Sequence, residues 1–122
     1  MKRLFLLALL FATPALAAPK STLPLDRDWQ VRIDPADADA ARQHPRAAGW
    51  LPATVPGSVQ QDLVAAGIVP DPFTGLNERA IQWAGLTGWE YRTAIEVTPA
   101  LLPRDHLDLV FDGLDTFATV LV

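Results

Sequence analysis

The sequence predicts an all-β protein whose strands pack as an antiparallel sandwich. Three stretches, at 28–33, 89–97 and 107–112, alternate apolar and polar residues with the period of two that a half-buried strand requires. A fourth stretch, Thr116–Val122, is rich in residues of high β-propensity. Helices do not alternate with these strands, which favours a sandwich over a parallel sheet with crossover helices.

Length and composition exclude several classes of function. The 122 residues allow one domain at most, and half of them are apolar, so a packed core is possible. The net charge of −4 argues against partners such as nucleic acid or an anionic membrane surface. The chain has no cysteine, and its two histidines, His44 and His106, lie far apart. We therefore expect no disulfide, no metal site and no cofactor.

The first 17 residues have the pattern of a secretory signal peptide. Lys2 and Arg3 precede an apolar run, Leu4–Ala12, and the segment ends in Ala-Leu-Ala at Ala17. That run is far shorter than the ~20 residues of a membrane-spanning helix. We expect cleavage after Ala17, a secreted or periplasmic protein, and a single domain over 18–122.

The first predicted strand, 28–33, places Trp29, Val31 and Ile33 on one face. Residues 34–49 lack a sustained apolar period and are predicted to form a surface insertion with one helical turn around 36–42. Residues 50–55 are predicted to be extended.

One short helix is predicted at about 59–66. Ser58 is a strong N-cap residue, and Gln61 three positions later completes a capping box. Gly67 stands where a left-handed C-cap is needed, so the helix should span Val59–Ala66.

A stiff loop follows the helix. Pro70 and Pro72 fix their own φ and keep the preceding residues extended. Phe73, Trp83 and Trp89 add large apolar groups to the segment. Two interpretations stay open: the loop packs against its own domain, or it forms the wall of a site.

The C-terminal third should form the remaining strands. Asp112 and Asp115 flank Gly113 and are interpreted as turn residues and not as a catalytic carboxylate pair. Because Val122 ends the sequence within an apolar strand, we expect the chain to be a fragment.

Several blocks of the sequence resemble the N-terminal domain of glycoside hydrolase family 2 β-mannosidases. They are VPGSVQQDLVAAGIVPDPFTGLNERAIQW, WEYR and LDLVFDGLDTFATV, which together extend from about Trp50 to Val122, with a weaker anchor at Trp29. The resemblance implies a galactose-binding-domain-like jelly-roll sandwich, incomplete at its C-terminus. Members usually carry aspartate where this chain has Gly88.

The resemblance also implies a function. Such enzymes are retaining exo-glycosidases that remove terminal β-mannose from β-mannoside oligosaccharides and glycans, using two glutamates on a (β/α)₈ barrel. No acidic residue of this chain matches either motif, so we assign no catalytic residue and expect the chain alone to be inactive. In the family this domain packs on the barrel and helps to wall the sugar pocket.

Four residues are candidates for contacting substrate: Asn77, Glu78, Trp83 and Trp89. Aromatic rings can cover the C–H face of a sugar, while amides and carboxylates bond its hydroxyls. Alternatively, the two tryptophans fill core, and Asn77 and Glu78 cap the turn before Ile81.

Two other functions remain open. The domain could belong to a related exo-enzyme that cleaves β-linked glucosamine, galactose or glucuronate, although the VPGSVQQDL and DPFTGLNE blocks favour the mannosidase branch. It could also be a stand-alone carbohydrate-binding module or a structural domain.

Overall fold

One antiparallel sheet of three strands organises the chain. The computed structural model describes residues 21–122, so the predicted signal peptide lies outside the described residues. The strands are β1 (Trp29–Ile33), β2 (Leu51–Ala53) and β3 (Trp89–Arg92), in the order β2-β1-β3. Val31 at the centre of β1 is paired with Leu51 on one side and Tyr91 on the other. The antiparallel pairing confirms the predicted sheet type.

The helices are short. They are α1 (Ala38–Gln43), α2 (Val59–Ala65) and α3 (Glu78–Ile81), and a 3₁₀ helix, Gln82–Leu86, follows α3 directly. The predicted helix at 59–66 is confirmed as α2, and the predicted turn at 36–42 is α1. The sequence did not predict α3 as a helix, because a four-residue helix is too short to produce a repeated apolar period.

Helix α2 is fixed at both ends. Its first turn has the predicted capping box, in which Ser58 Oγ accepts from Gln61 N–H and Gln61 Oε1 accepts from Ser58 N–H. After the helix, Gly67 has a φ of +61°, which glycine adopts without steric cost. The Arg46 guanidinium donates to the carbonyls of Ala66 and Gly67 at 3.2 and 3.0 Å, which satisfies acceptors at the helix C-terminus.

A small core lies between one face of the sheet and the helices. Its buried apolar members are Val31, Ile33, Ala47, Leu63, Val69, Ile81 and Ala84. The prediction that 34–49 is only a surface insertion needs correction at Ala47, which is fully buried. The carbonyl of Ala47 accepts from Ile33 N–H at 2.9 Å, so the segment returns to the end of β1 and adds to the core.

The opposite face of the sheet is polar. The guanidinium carbons of Arg32 and Arg92 lie 4.4 and 3.8 Å from the centroid of the Trp50 ring. Arg32 pairs with Glu90 at 2.8 Å across the β1–β3 ladder, and Arg92 Nε donates to Gln30 Oε1 at 2.9 Å. These contacts join β1 to β3 and connect both strands to Trp50, the residue before β2.

The C-terminal third forms fewer strands than predicted. The strand expected at 89–97 ends at Arg92, and residues 107–112 and 116–122 are not strands. A strand requires a neighbouring backbone, and no described backbone group bonds to 107–122. Their apolar side chains are exposed, with Phe117 fully so. No helix within 21–122 is long and apolar enough to cross a membrane.

Asp62 on α2 is a buried acid that connects the helix to the sheet. The residue is 3% exposed, and its Oδ1 accepts from Thr54 N–H at 2.9 Å, just beyond β2. Its Oδ2 has no partner with good hydrogen-bond geometry, although the Tyr91 hydroxyl approaches the carboxylate. Burial raises the pKa of Asp62, and the contacts from Thr54 and Tyr91 oppose that rise. Burial and the Asp62 charge raise the pKa of Tyr91 to about 12.

The raised pKa of Asp62 predicts a pH-dependent difference in stability between the wild-type chain and Asp62→Asn. As the pH falls from 7 toward the ordinary pKa of 3.8, the folded wild-type chain takes up a proton before the unfolded chain does. The wild type should therefore gain free energy of unfolding relative to the variant in this window, and the gain should level off below it. Urea unfolding of both proteins at several pH values measures this, and a pH-independent difference would contradict it.

Candidate functional site

Two of the predicted site residues, Trp83 and Trp89, lie together in an aromatic cluster with His44. The Trp83 ring stacks on the His44 ring with 3.6 Å between centroids and 8° between planes. Trp89 lies 5.7 Å from Trp83 and is tilted by 40°. Both tryptophans are partly buried and pack against the core. One face of Trp83 is therefore covered by His44.

Hydrogen bonds fix the cluster to the 3₁₀ helix. Trp89 Nε1 donates to the carbonyl of Ala84 at 2.8 Å, and Thr87 Oγ1 donates to the carbonyl of Trp83 at 2.9 Å. The N–H group of the Trp89 indole thus has a hydrogen-bond acceptor, which a tryptophan needs when its ring is removed from water. The segment between the two tryptophans is thus held on both sides.

A small cavity lies beside the cluster, between α1 and the 3₁₀ helix. Its volume is about 200 Å³, below the range of about 300–1,000 Å³ of small-molecule sites. It is lined by Asp37, Asp39, Ala40, Gln43, His44, Trp83, Leu86 and Thr87. The lining combines an aromatic ring with carboxylates and an amide, which are groups that contact sugars, but the space is too small to enclose one.

Asn77 and Glu78 lie at the start of α3. Asn77 occupies the N-cap position, but its side chain makes no capping bond and instead donates to the carbonyl of Asp71 at 3.0 Å. Glu78 is exposed and is the acidic residue of the first helical turn. Asn77 therefore braces the preceding loop, and Glu78 is open to a partner.

Sequence reasoning did not place Phe73 among the site residues, although it noted its size. The Phe73 side chain is 97% exposed, beside a groove of about 470 Å³ between α2 and the loop. This Phe73 groove is lined by Ser58, Gln60, Gln61, Val64, Ala65, Asp71, Pro72 and Phe73. The two prolines around Asp71 were the available signal, because they indicate an ordered loop.

The carboxylates near Gly88 form an acidic corner without a metal cluster. Asp37 Oδ2 accepts from Gly88 N–H at 3.3 Å, and Asp34 N–H donates to the carbonyl of Gly88 at 2.9 Å. A Cβ at position 88 would lie 3.3 Å from the Cβ of Asp34 and 3.9 Å from its Oδ2. Within 21–122, no three His, Cys, Asp or Glu residues group in a way that could hold a metal ion.

Comparison with known proteins gives a consistent match. Residues 29–122 match the family described as glycosyl hydrolase 2 galactose-binding domain-like. The chain is 39% identical over 107 residues to beta-mannosidase B of Thermothelomyces thermophilus, covering 86% of this chain and 11% of that protein. It is 46% identical over 83 residues to beta-mannosidase B of Emericella nidulans, covering 67% of this chain and 10% of that protein.

A third similar protein has a different name, beta-mannosidase A. Beta-mannosidase A of Emericella nidulans is 43% identical over 70 residues, covering 57% of this chain and 7% of that protein. The chain thus spans about a tenth of the length of the curated relatives it matches. The family match confirms the predicted galactose-binding-like class and the resemblance to the N-terminal region of family 2 β-mannosidases.

The geometry at Gly88 predicts that Gly88→Asp destabilises the chain more than Gly88→Asn. Both side chains crowd Asp34 equally, but only aspartate adds a third negative charge beside Asp34 and Asp37. The cost of the charge should be ~1 kcal/mol, the Coulomb energy of two charges about 4 Å apart in water. Thermal unfolding of both variants measures it, and added salt should reduce the difference. Equal stabilities at low salt would contradict the prediction.

Proposed function

Because the chain belongs to the glycosyl hydrolase 2 galactose-binding domain-like family, we propose that it is the N-terminal, non-catalytic domain of an exported retaining exo-β-mannosidase. The similarity to beta-mannosidases A and B over most of the described residues is the observation that carries the proposal. The substrates would be β-mannoside oligosaccharides or glycans with a terminal β-mannose.

Catalysis would come from residues beyond this chain. A retaining mechanism needs two carboxyl groups about 5–5.5 Å apart, one as nucleophile and one as acid and base. We propose that a (β/α)₈ barrel supplies both, and that this domain packs on the barrel and helps to wall the sugar pocket. The 122-residue chain alone would then be inactive.

The segment from Asn77 to Trp89 has the properties that a wall requires. The Trp83–Trp89 cluster is hydrogen bonded to its own backbone and packed on the core, so its position is fixed before substrate binds. Asn77 braces the loop through Asp71, and the exposed Glu78 offers a carboxylate to sugar hydroxyls. Within the proposal, these four residues form the contribution of the domain to the pocket.

The proposal predicts how Trp83→Ala affects the complete enzyme that contains this domain. If Trp83 shapes the pocket, kcat/KM for a chromogenic β-mannoside should fall by the equivalent of ~1–3 kcal/mol. If Trp83 only fills core, the loss should appear in the free energy of unfolding, at ~3–5 kcal/mol, without a change in kinetics. Measuring both quantities on one variant separates the two roles.

His44→Ala is the matched control for that experiment. It removes the ring stacked on Trp83 and leaves Trp83 itself in place. A kinetic loss in Trp83→Ala that His44→Ala does not share would support the wall. The proposed function would be overturned if the complete enzyme had no activity on any β-mannoside. It would also be overturned if the purified 122-residue chain hydrolysed a β-mannoside.

Export is proposed from the sequence of the first 17 residues. The protein isolated from its native cells should begin at Ala18, because the Ala-Leu-Ala segment that ends at Ala17 suits signal peptidase. N-terminal sequencing of the extracellular or periplasmic fraction tests this. Cytoplasmic protein that retains Met1 would contradict export.

A further inference from the structure

The ring of His44 joins α1 to the 3₁₀ helix. His44 follows α1 directly, and its backbone N–H donates to the carbonyl of Ala40 at 2.8 Å, which fixes the residue to the last turn of the helix. Its imidazole lies parallel to the Trp83 ring, with 3.6 Å between the centroids. At the other end of α1, Asp37 Oδ2 accepts from Gly88 N–H at 3.3 Å. The helix therefore contacts the segment that carries Trp83 at both of its ends.

Two carboxylates from the start of α1 line the cavity beside the stack. Asp37 and Asp39 line it together with His44 and Trp83, and no lysine or arginine is among the described residues that line it. Asp39 forms an ion pair with Arg42, whereas Asp37 accepts from backbone N–H groups. The Asp37 carboxylate is therefore the negative charge near the imidazole that is not already paired with a cation.

The other elements around His44 bring no further charge to this cavity. The 3₁₀ helix and the residue after it contribute Trp83, Leu86 and Thr87 to its lining. Arg46 follows His44 by two residues, but its guanidinium donates to carbonyls at the C-terminus of α2. Among the described residues that line the cavity, the ionisable groups are therefore the imidazole and the two carboxylates.

Protonation of His44 would change the stack from a neutral contact into a charged one. Imidazole is the side chain that ordinarily gains its charge as the pH falls from about 8 to about 5. A cation above the face of an indole ring is attracted by the ring quadrupole, and the attraction is stronger where water is partly excluded. The half-buried rings of His44 and Trp83 meet that condition, and the Asp37 carboxylate adds a favourable charge.

We propose that the His44–Trp83 stack is a pH-sensitive contact, in which uptake of a proton by His44 holds the 3₁₀ helix more firmly against α1. The proton comes from solvent, and no covalent bond other than the new N–H bond changes. In mildly acidic surroundings the segment Gln82–Leu86 would open less often, and above neutral pH the stack would depend on ring packing alone. The proposal concerns a contact within this chain and does not rest on the proposed function.

Amide hydrogen exchange of the full 122-residue chain between about pH 8 and about pH 5 tests this contact. Protection factors are compared for the 3₁₀ helix, because they remove the pH dependence of the intrinsic exchange rate. His44→Phe keeps a ring over Trp83 that cannot gain charge, and so separates charge from packing. His106→Gln is the matched control, because it removes the other imidazole of the chain, which does not line the cavity. Asp62 is present in every variant, so its own titration cancels in the comparison.

Protection of the 3₁₀ helix should rise about threefold from the higher to the lower pH in the wild type and in His106→Gln, and should stay constant in His44→Phe. In the NMR spectrum of the wild type, the Trp83 indole N–H signal should move together with the ring signals of His44. Unchanged core amide shifts verify the fold of each variant.

Three results would overturn the proposal. They are constant protection in the wild type, an equal rise in His44→Phe, and a rise that His106→Gln abolishes. The wild-type spectrum decides independently of any variant, because a Trp83 signal that does not follow the titration of His44 would also overturn the proposal.

Discussion

The docking of helix α2 on the sheet is the constraint on which the rest of the described structure depends. Leu63 is fully buried, and its neighbour Asp62 accepts from Thr54 N–H, so adjacent positions fix the helix by apolar packing and by a polar bond. The Leu63 carbonyl then accepts from Ile68 N–H at 2.9 Å, which turns the chain and directs Val69 into the core. The loop that leads to the candidate site residues starts from that fixed point. A buried acid with one unpaired oxygen is a costly way to hold a helix, and the raised pKa of Asp62 reflects that cost.

Features set by local chemistry could be predicted from the sequence. The capping box at Ser58 and Gln61, the left-handed Gly67 and the strand at Trp29–Ile33 each depend on neighbouring residues or a short period, and each was found where expected. Features set by distant contacts could not. The burial of Ala47 depends on a bond to the end of β1, and the stacking of His44 on Trp83 joins residues 39 positions apart. The alternation at 107–112 shows the same limit. An alternating pattern indicates which side chains would share a face of a strand, but a strand forms only where a neighbouring strand is available.

The candidate site shows this limit most clearly in its aromatic residues. In the sequence, Phe73 and Trp83 are both large apolar residues of one stiff loop, and tryptophan has the larger surface for a sugar. In the structure, His44 covers a face of Trp83, whereas Phe73 stands free beside the larger groove. The difference arises from α1, which brings His44 against the 3₁₀ helix. Hydrophobicity therefore identified the loop as important, but only the tertiary arrangement distinguishes the packed Trp83 from the exposed Phe73.

Hydrogen bonds and packing hold the loop between α2 and the 3₁₀ helix at both ends. Hydrogen bonds from Asn77 to Asp71 and from Phe73 to the same aspartate connect the groove to the start of α3, and the Trp83–Trp89 cluster anchors the other end of the segment on the core. Rigid elements reduce the entropy lost when a ligand binds, so a loop held at both ends can present an exposed ring without collapsing around it. Phe73 shares its exposure with other large apolar side chains, such as Leu86 and Phe117, so exposure alone does not mark it as a ligand contact.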